Sequence, residues 1–99
     1  MVYKIKDIVS YLEKIAPPSY QESYDNAQLI TGNPHDTLKG VLCSLDATEE
    51  VVDEAISLGC NLIVAHHPIV FKGLKSLTGR NYVEKTVIKA IKNDVAIYA

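Results

Sequence analysis

The stretch GVLCSLDATEEVVDEAISLGCNLIVAHHP, residues 40–68, decides the fold. It opens on a short apolar run, Gly40 to Asp46, that shows no polar alternation, as expected of a parallel strand covered on both faces. A helix follows at once. Asp46 or Thr48 can cap it, Glu49 and Glu50 suit the positive end of its dipole, Val51, Val52, Ala55 and Ile56 form an apolar stripe, and Gly59 ends it. Asn61 to Ala65 is a second buried run, ending in His66-His67-Pro68. Strand, helix and strand in this order make a βαβ unit. Its crossover is right-handed in nearly all sheets, so the two strands run parallel and their carboxyl ends open on one edge.

On the N-terminal side, Ile5, Ile8, Val9, Leu12, Ile15 and Ala16 recur at intervals of three and four, which predicts an amphipathic helix over 4–16 that Pro17-Pro18 cannot continue. Residues 19–38 carry turn residues with little periodicity and read as loop, with a short strand at Gln28 to Thr31. A loop of that length inside a compact domain is usually functional or poorly ordered. On the C-terminal side, a Gly-punctuated loop over 71–79 leads to a helix over 81–93, with Val83, Val87, Ile88 and Ile91 inward and Lys85, Lys89 and Lys92 outward. Val95 to Ala99 is a third strand. The expected architecture is α/β, a three-layer type with a parallel or mostly parallel sheet and flanking helices. Three parallel strands leave an apolar edge, so the chain is expected to self-associate unless something covers it.

Ninety-nine residues make a single domain over 1–99, or the N-terminal portion of a larger protein. With 47% hydrophobic and 22% charged residues the chain is too apolar for disorder and too varied for a coiled coil. No apolar run reaches the ~18 residues of a membrane span, and the first residues lack the pattern of a secretory signal, so the expected location is the cytoplasm and a membrane is not an expected partner. Cys43 and Cys60 show no CxxC spacing and are expected to be reduced packing residues. The net charge of −2 divides unevenly, residues 1–67 carrying −6 and residues 68–99 carrying +4. Nothing aromatic is interleaved with the basic residues, which argues against nucleic acid as a partner but leaves room for a small anion.

The histidine doublet is the sharp chemical signal. Imidazole is the commonest protein metal ligand, and adjacent residues of an extended segment point to opposite sides. His66 and His67 therefore serve two ions lying side by side more easily than they converge on one. Pro68 biases His67 toward an extended backbone and so fixes the direction in which its ring leaves the chain. From spacing alone a hydrogen-bonded structural role is favoured over metal binding, and the placement after a buried strand brings the two level. Asp46 is the carboxylate that the topology brings near, although its place at the head of a helix suits an N-cap better than a ligand. His35, in a Pro-His-Asp-Thr turn, is expected to be solvated. Cys43 lacks an activating neighbour, neither GxGxxG nor a P-loop is present, and Lys72, Lys75 and Arg80 read as a solvated loop able to attract phosphate.

The segments Gly40 to Thr48, Glu54-Ala55-Ile56 and Ala65-His66-His67-Pro68-Ile69-Val70-Phe71, together with Tyr24-Asp25-Asn26-Ala27, resemble the N-terminal part of the NIF-three-like family, often labelled GTP cyclohydrolase I type 2 homologues. The order and spacing of these pieces agree over nearly the whole chain. Tyr24 and Gln28 depart from the Trp and Gly usual in that family's WDN segment. The resemblance implies a dinuclear metal-binding α/β protein with two similar halves per subunit, often assembled as a hexameric ring. In it His66 and His67 each give one ligand to one of two divalent ions, zinc, manganese or iron. The family's remaining ligands, an Asp just after the third strand and a distant His and Glu, fall beyond Ala99, so these residues alone are expected to hold metal weakly or not at all. The expected function is that of a metal-dependent hydrolase acting on a small, phosphorylated substrate, with catalytic base and substrate-binding residues unassigned. The alternative is a non-catalytic regulatory or protein-interaction module with a structural metal site.

Overall fold

The computed structural model describes residues 2–15, 29–66 and 77–99. Its elements run α1 (Ile5–Ile15), β1 (Leu29–Thr31), β2 (Val41–Ser44), α2 (Glu49–Leu58), β3 (Leu62–Ala65), α3 (Tyr82–Lys92) and β4 (Ala96–Tyr98). They form a mixed α/β fold around one sheet of order β1-β4-β3-β2. β2 pairs with β3 in parallel, Val41 opposite Leu62 and Ser44 opposite Ala65, and β3 pairs with β4 in parallel, Leu62 opposite Ala96. β1 adds antiparallel to the outer side of β4. The βαβ unit is therefore as read, the short strand near residue 28 is real, and it closes one of the edges that three parallel strands leave open.

The period-two alternation of the strands sorts the core into two layers. Ile63, Ala65 and Ile97 face Val52 and Ala55 of α2 and Ala90 of α3. Leu62, Ala96 and Tyr98 face Ile5 of α1, with Ile8, Val9 and Leu12 packed beside them. Helices thus cover both faces of the sheet, in the three-layer arrangement expected.

Two readings of individual faces are corrected. β2 is not covered on both sides: Leu42 and Ser44 are half-buried, whereas Val41 is 37% exposed and Cys43 is exposed. The apolar side of α1 packs over β3 and β4, and β2, at the sheet's edge, lies beyond its reach. Cys43 is consequently not a packing residue, while Cys60 is half-buried against the α2-side core, and both are free thiols. On α3, Ile91 is 51% exposed rather than inward. The buried stripe runs through Glu84, Thr86, Val87 and Ala90, and Ile91 lies a further ~100° around the helix from Ala90.

The helix ends follow from side-chain chemistry. Thr48 Oγ1 accepts the Val51 N–H at 3.3 Å, and Gly59 at φ 74° turns the chain out of α2. At the start of α1, Asp7 Oδ2 accepts the Lys4 N–H at 2.8 Å, and the carbonyls of Asp36 and Pro34 accept the N–H groups of Ile5 and Lys6 at 3.0 and 2.8 Å. Part of the long loop therefore serves as the cap of the first helix, satisfying donors a helix cannot satisfy itself. Buried Asn61 holds the other end of that segment. Its Oδ1 accepts the Lys39 N–H and its Nδ2 donates to the Thr37 carbonyl, both at 2.8 Å.

Candidate metal centre at the carboxyl edge of the sheet

Because β2, β3 and β4 are parallel, the residues that follow them gather at one edge. His66 follows β3 directly and is exposed. Its N–H donates to the Ser44 carbonyl at 2.9 Å, which carries the β2–β3 ladder one bond past the strand and pins the main chain from which the imidazole projects. Ser44 Oγ donates to the Asp46 carbonyl at 2.7 Å and shapes the turn into α2. The cap of that helix is Thr48, so Asp46, exposed in the same turn, does not serve as the N-cap expected of it. Tyr98 lies opposite Val64, so β4 ends at the same edge as β3.

His67, Lys72, Lys75 and the segment Tyr24 to Ala27 lie outside the described residues. His35 is exposed, as expected, with its N–H donating to Asn33 Oδ1 at 2.9 Å. The neighbouring Thr37 and Lys39 are tied to Asn61, at the amino end of β3, so His35 and His66 are not brought together. Among the described residues, no group of three or more His, Cys, Asp or Glu stands together as a metal site. A cavity of about 490 Å³ lined by Lys39, Cys60 and Asn61 opens at the amino edge, away from His66.

The reading from sequence missed Glu84. Its carboxylate is 1% exposed and accepts the Thr78 N–H at 3.0 Å and Asn81 Nδ2 at 3.1 Å, with Arg80 Nε at 3.6 Å. Asn81 Oδ1 in turn accepts the Glu84 N–H at 3.0 Å. The pattern Asn81-x-x-Glu84 is a capping-box signature and was the signal available. The Thr78 N–H, with further donors in the same loop and the Arg80 charge, holds the carboxyl below its ordinary range despite the opposing effect of burial. A carboxyl with a lowered folded-state pKa stabilises above its unfolded pKa and loses that contribution as pH falls through the folded value. Glu84→Gln is therefore expected to lower the melting temperature by several degrees at neutral pH, because an amide nitrogen would face the donors. The gap from the parent should shrink on acidification below the ordinary glutamate range. Thermal melts of both proteins across that interval check this, and a gap that stays constant contradicts it.

A family model described as Duf34/NIF3 (NGG1p interacting factor 3) matches residues 3–99. The chain belongs to the Duf34/NIF3 family. A Clostridium acetobutylicum relative named GTP cyclohydrolase 1 type 2 homolog is 37% identical over 99 residues, which are 100% of this chain and 37% of that protein. Duf34/NIF3 likeness extends to solved structures. A Staphylococcus aureus hypothetical protein matches with a TM-score of 0.89 at 42% identity, over 97% of this chain and 27% of that one. A Bacillus cereus protein related to NIF3 matches with a TM-score of 0.89 at 42% identity, over 99% and 27%. The chain thus spans well under half the length of its Duf34/NIF3 relatives. No helix among the described residues is long and apolar enough to cross a membrane.

Proposed function

We propose that this chain contributes His66 and His67, one to each of two divalent ions, to the centre of a metal-dependent hydrolase acting on a small phosphorylated substrate. The observation that carries the reading is the place of His66. It is an exposed imidazole on a pinned main chain, at the carboxyl edge where open α/β sheets hold their ligands, in a chain of the Duf34/NIF3 family. An exposed imidazole on a fixed backbone suits a first-row divalent ion, and the other ring nitrogen can take an orienting partner. Two imidazoles fall short of the four to six ligands such ions prefer, so further donors complete each shell. When bound, the ions supply Lewis acidity toward the substrate and toward water. This chain's own part is to present the imidazoles at that edge, the main chain of His66 being held by its bond to the Ser44 carbonyl.

Zinc and manganese titrations of this sequence within its full-length protein, and of a His66→Ala, His67→Ala double variant of that protein, test the reading. The parent is expected to take up metal and the double variant to lose that uptake, and equal metal content in the two proteins removes the proposal. A nucleotide and phosphoester panel then decides between hydrolysis and a regulatory module. Metal retained with no turnover on any member favours the module.

A further inference from the structure

The second charged feature of the fold is a groove along the outer side of α3. It has a volume of about 500 Å³, and its lining includes Lys85, Lys89 and Lys92, with Leu77 and Ile88 as apolar surface and Glu49 as a carboxylate. The three lysines fall at i, i+4 and i+7, so they stand on one side of the helix over about 10 Å of its length. Lys89 is engaged with Asp53 of α2 at 3.0 Å. Neither Lys85 nor Lys92 has an ion pair with another of the described residues. Leu77 is 44% exposed and gives the lining apolar surface beside the three cations. His66 does not line this groove.

We propose that this groove binds a small phosphorylated molecule with an apolar or planar body, its phosphate on the lysines and its body against Leu77 and Ile88. The volume lies within the range of small-molecule sites. The charge selects the ligand. The three lysines face two carboxylates, Glu49 in the lining and Asp53 on Lys89, which leaves a positive excess that favours an anion, and the apolar side chains favour one that is more than a bare ion. Phosphate suits lysine, which engages it as a point charge without the planar fork that a carboxylate or guanidinium pairing exploits. Asp53 already occupies Lys89, so the ligand's charge rests on Lys85 and Lys92. This site is separate from the proposed metal centre and does not depend on it.

The test is a ¹H–¹⁵N NMR titration of the full chain with four probes: adenosine 5′-monophosphate, adenosine, dodecyl phosphate and inorganic phosphate. Shifts at Lys85, Ile88 and Lys92 with adenosine monophosphate or dodecyl phosphate are expected, and which of the two binds more tightly tells a nucleotide from an alkyl phosphate. Adenosine and inorganic phosphate should each bind more weakly than the better of these. A Lys85→Gln, Lys92→Gln double variant should weaken binding roughly three- to thirty-fold, while His66→Ala leaves it unchanged. Shifts confined to other parts of the chain, unchanged affinity in the double lysine variant, or no binding of any probe at millimolar concentration overturns the proposal. Loss of binding in His66→Ala alone would assign the phosphate to the carboxyl edge instead.

Discussion

Replacing Gly32 with alanine is expected to destabilise the fold by about 2–4 kcal/mol, the sum of a strained backbone and an overpacked contact. Gly32 follows β1 directly and has φ 113°, a conformation that a side chain resists. A Cβ added there would stand 2.4 Å from Ala96 Cβ and 2.6 Å from Ala96 Cα. The obstacle cannot swing aside, because Ala96 is 1% exposed and its backbone belongs to a strand paired on both sides. The substitution would therefore push β1 off β4. Gly59→Ala is the control. Gly59 also has a positive φ, 74°, yet nothing lies within 4 Å of an added Cβ, so only the backbone cost of about 1 kcal/mol applies. Denaturant midpoints of the two variants measure the difference, and equal losses would show that the contact with Ala96 contributes nothing.

Gly32 also marks how far the sequence could be read. The central unit was legible because each of its parts carries a local signal: uninterrupted apolar runs for β2 and β3, a cap and a stripe for α2, a glycine to end it. The place of His66 at the carboxyl edge was legible for the same reason, since the topology alone brings a residue that follows β3 there. What stayed hidden depends on contacts across the chain. Nothing local says that the carbonyls of Pro34 and Asp36 will cap α1, or that Asn61 will tie down residues 37–39, because those partners meet only once the sheet has formed. The two faces misjudged failed for a related reason. Apolar content predicts that Val41, Cys43 and Ile91 are buried, but burial is decided by whether a neighbouring element reaches them. α1 stops short of β2, and Ile91 turns past the line of contact between α3 and the sheet.

The core beneath the carboxyl edge yields the other large effect. Ile63 is fully buried at the centre of β3, three residues before His66, with β2 on one side and β4 on the other. Shortening it to alanine removes apolar contact and leaves a cavity, a change that costs about 2–5 kcal/mol in well-packed cores. The cost here should fall in the upper half of that range, because the surrounding cluster is rich in alanine. Ala47, Ala55, Ala65, Ala90 and Ala99 all belong to it, and an alanine side chain has no rotamer with which to fill a void. Against a total stability of about 5–15 kcal/mol for domains in general, that loss is a large share. Ile63→Val, which removes a single methylene, is expected to cost only about 0.5–1.5 kcal/mol. Equilibrium denaturation gives both values, and hydrogen exchange at the His66 amide shows whether its bond to Ser44 opens along with the core. If the alanine variant loses no more than the valine variant, the cluster has collapsed around the gap, and the edge that presents His66 does not rest on this residue.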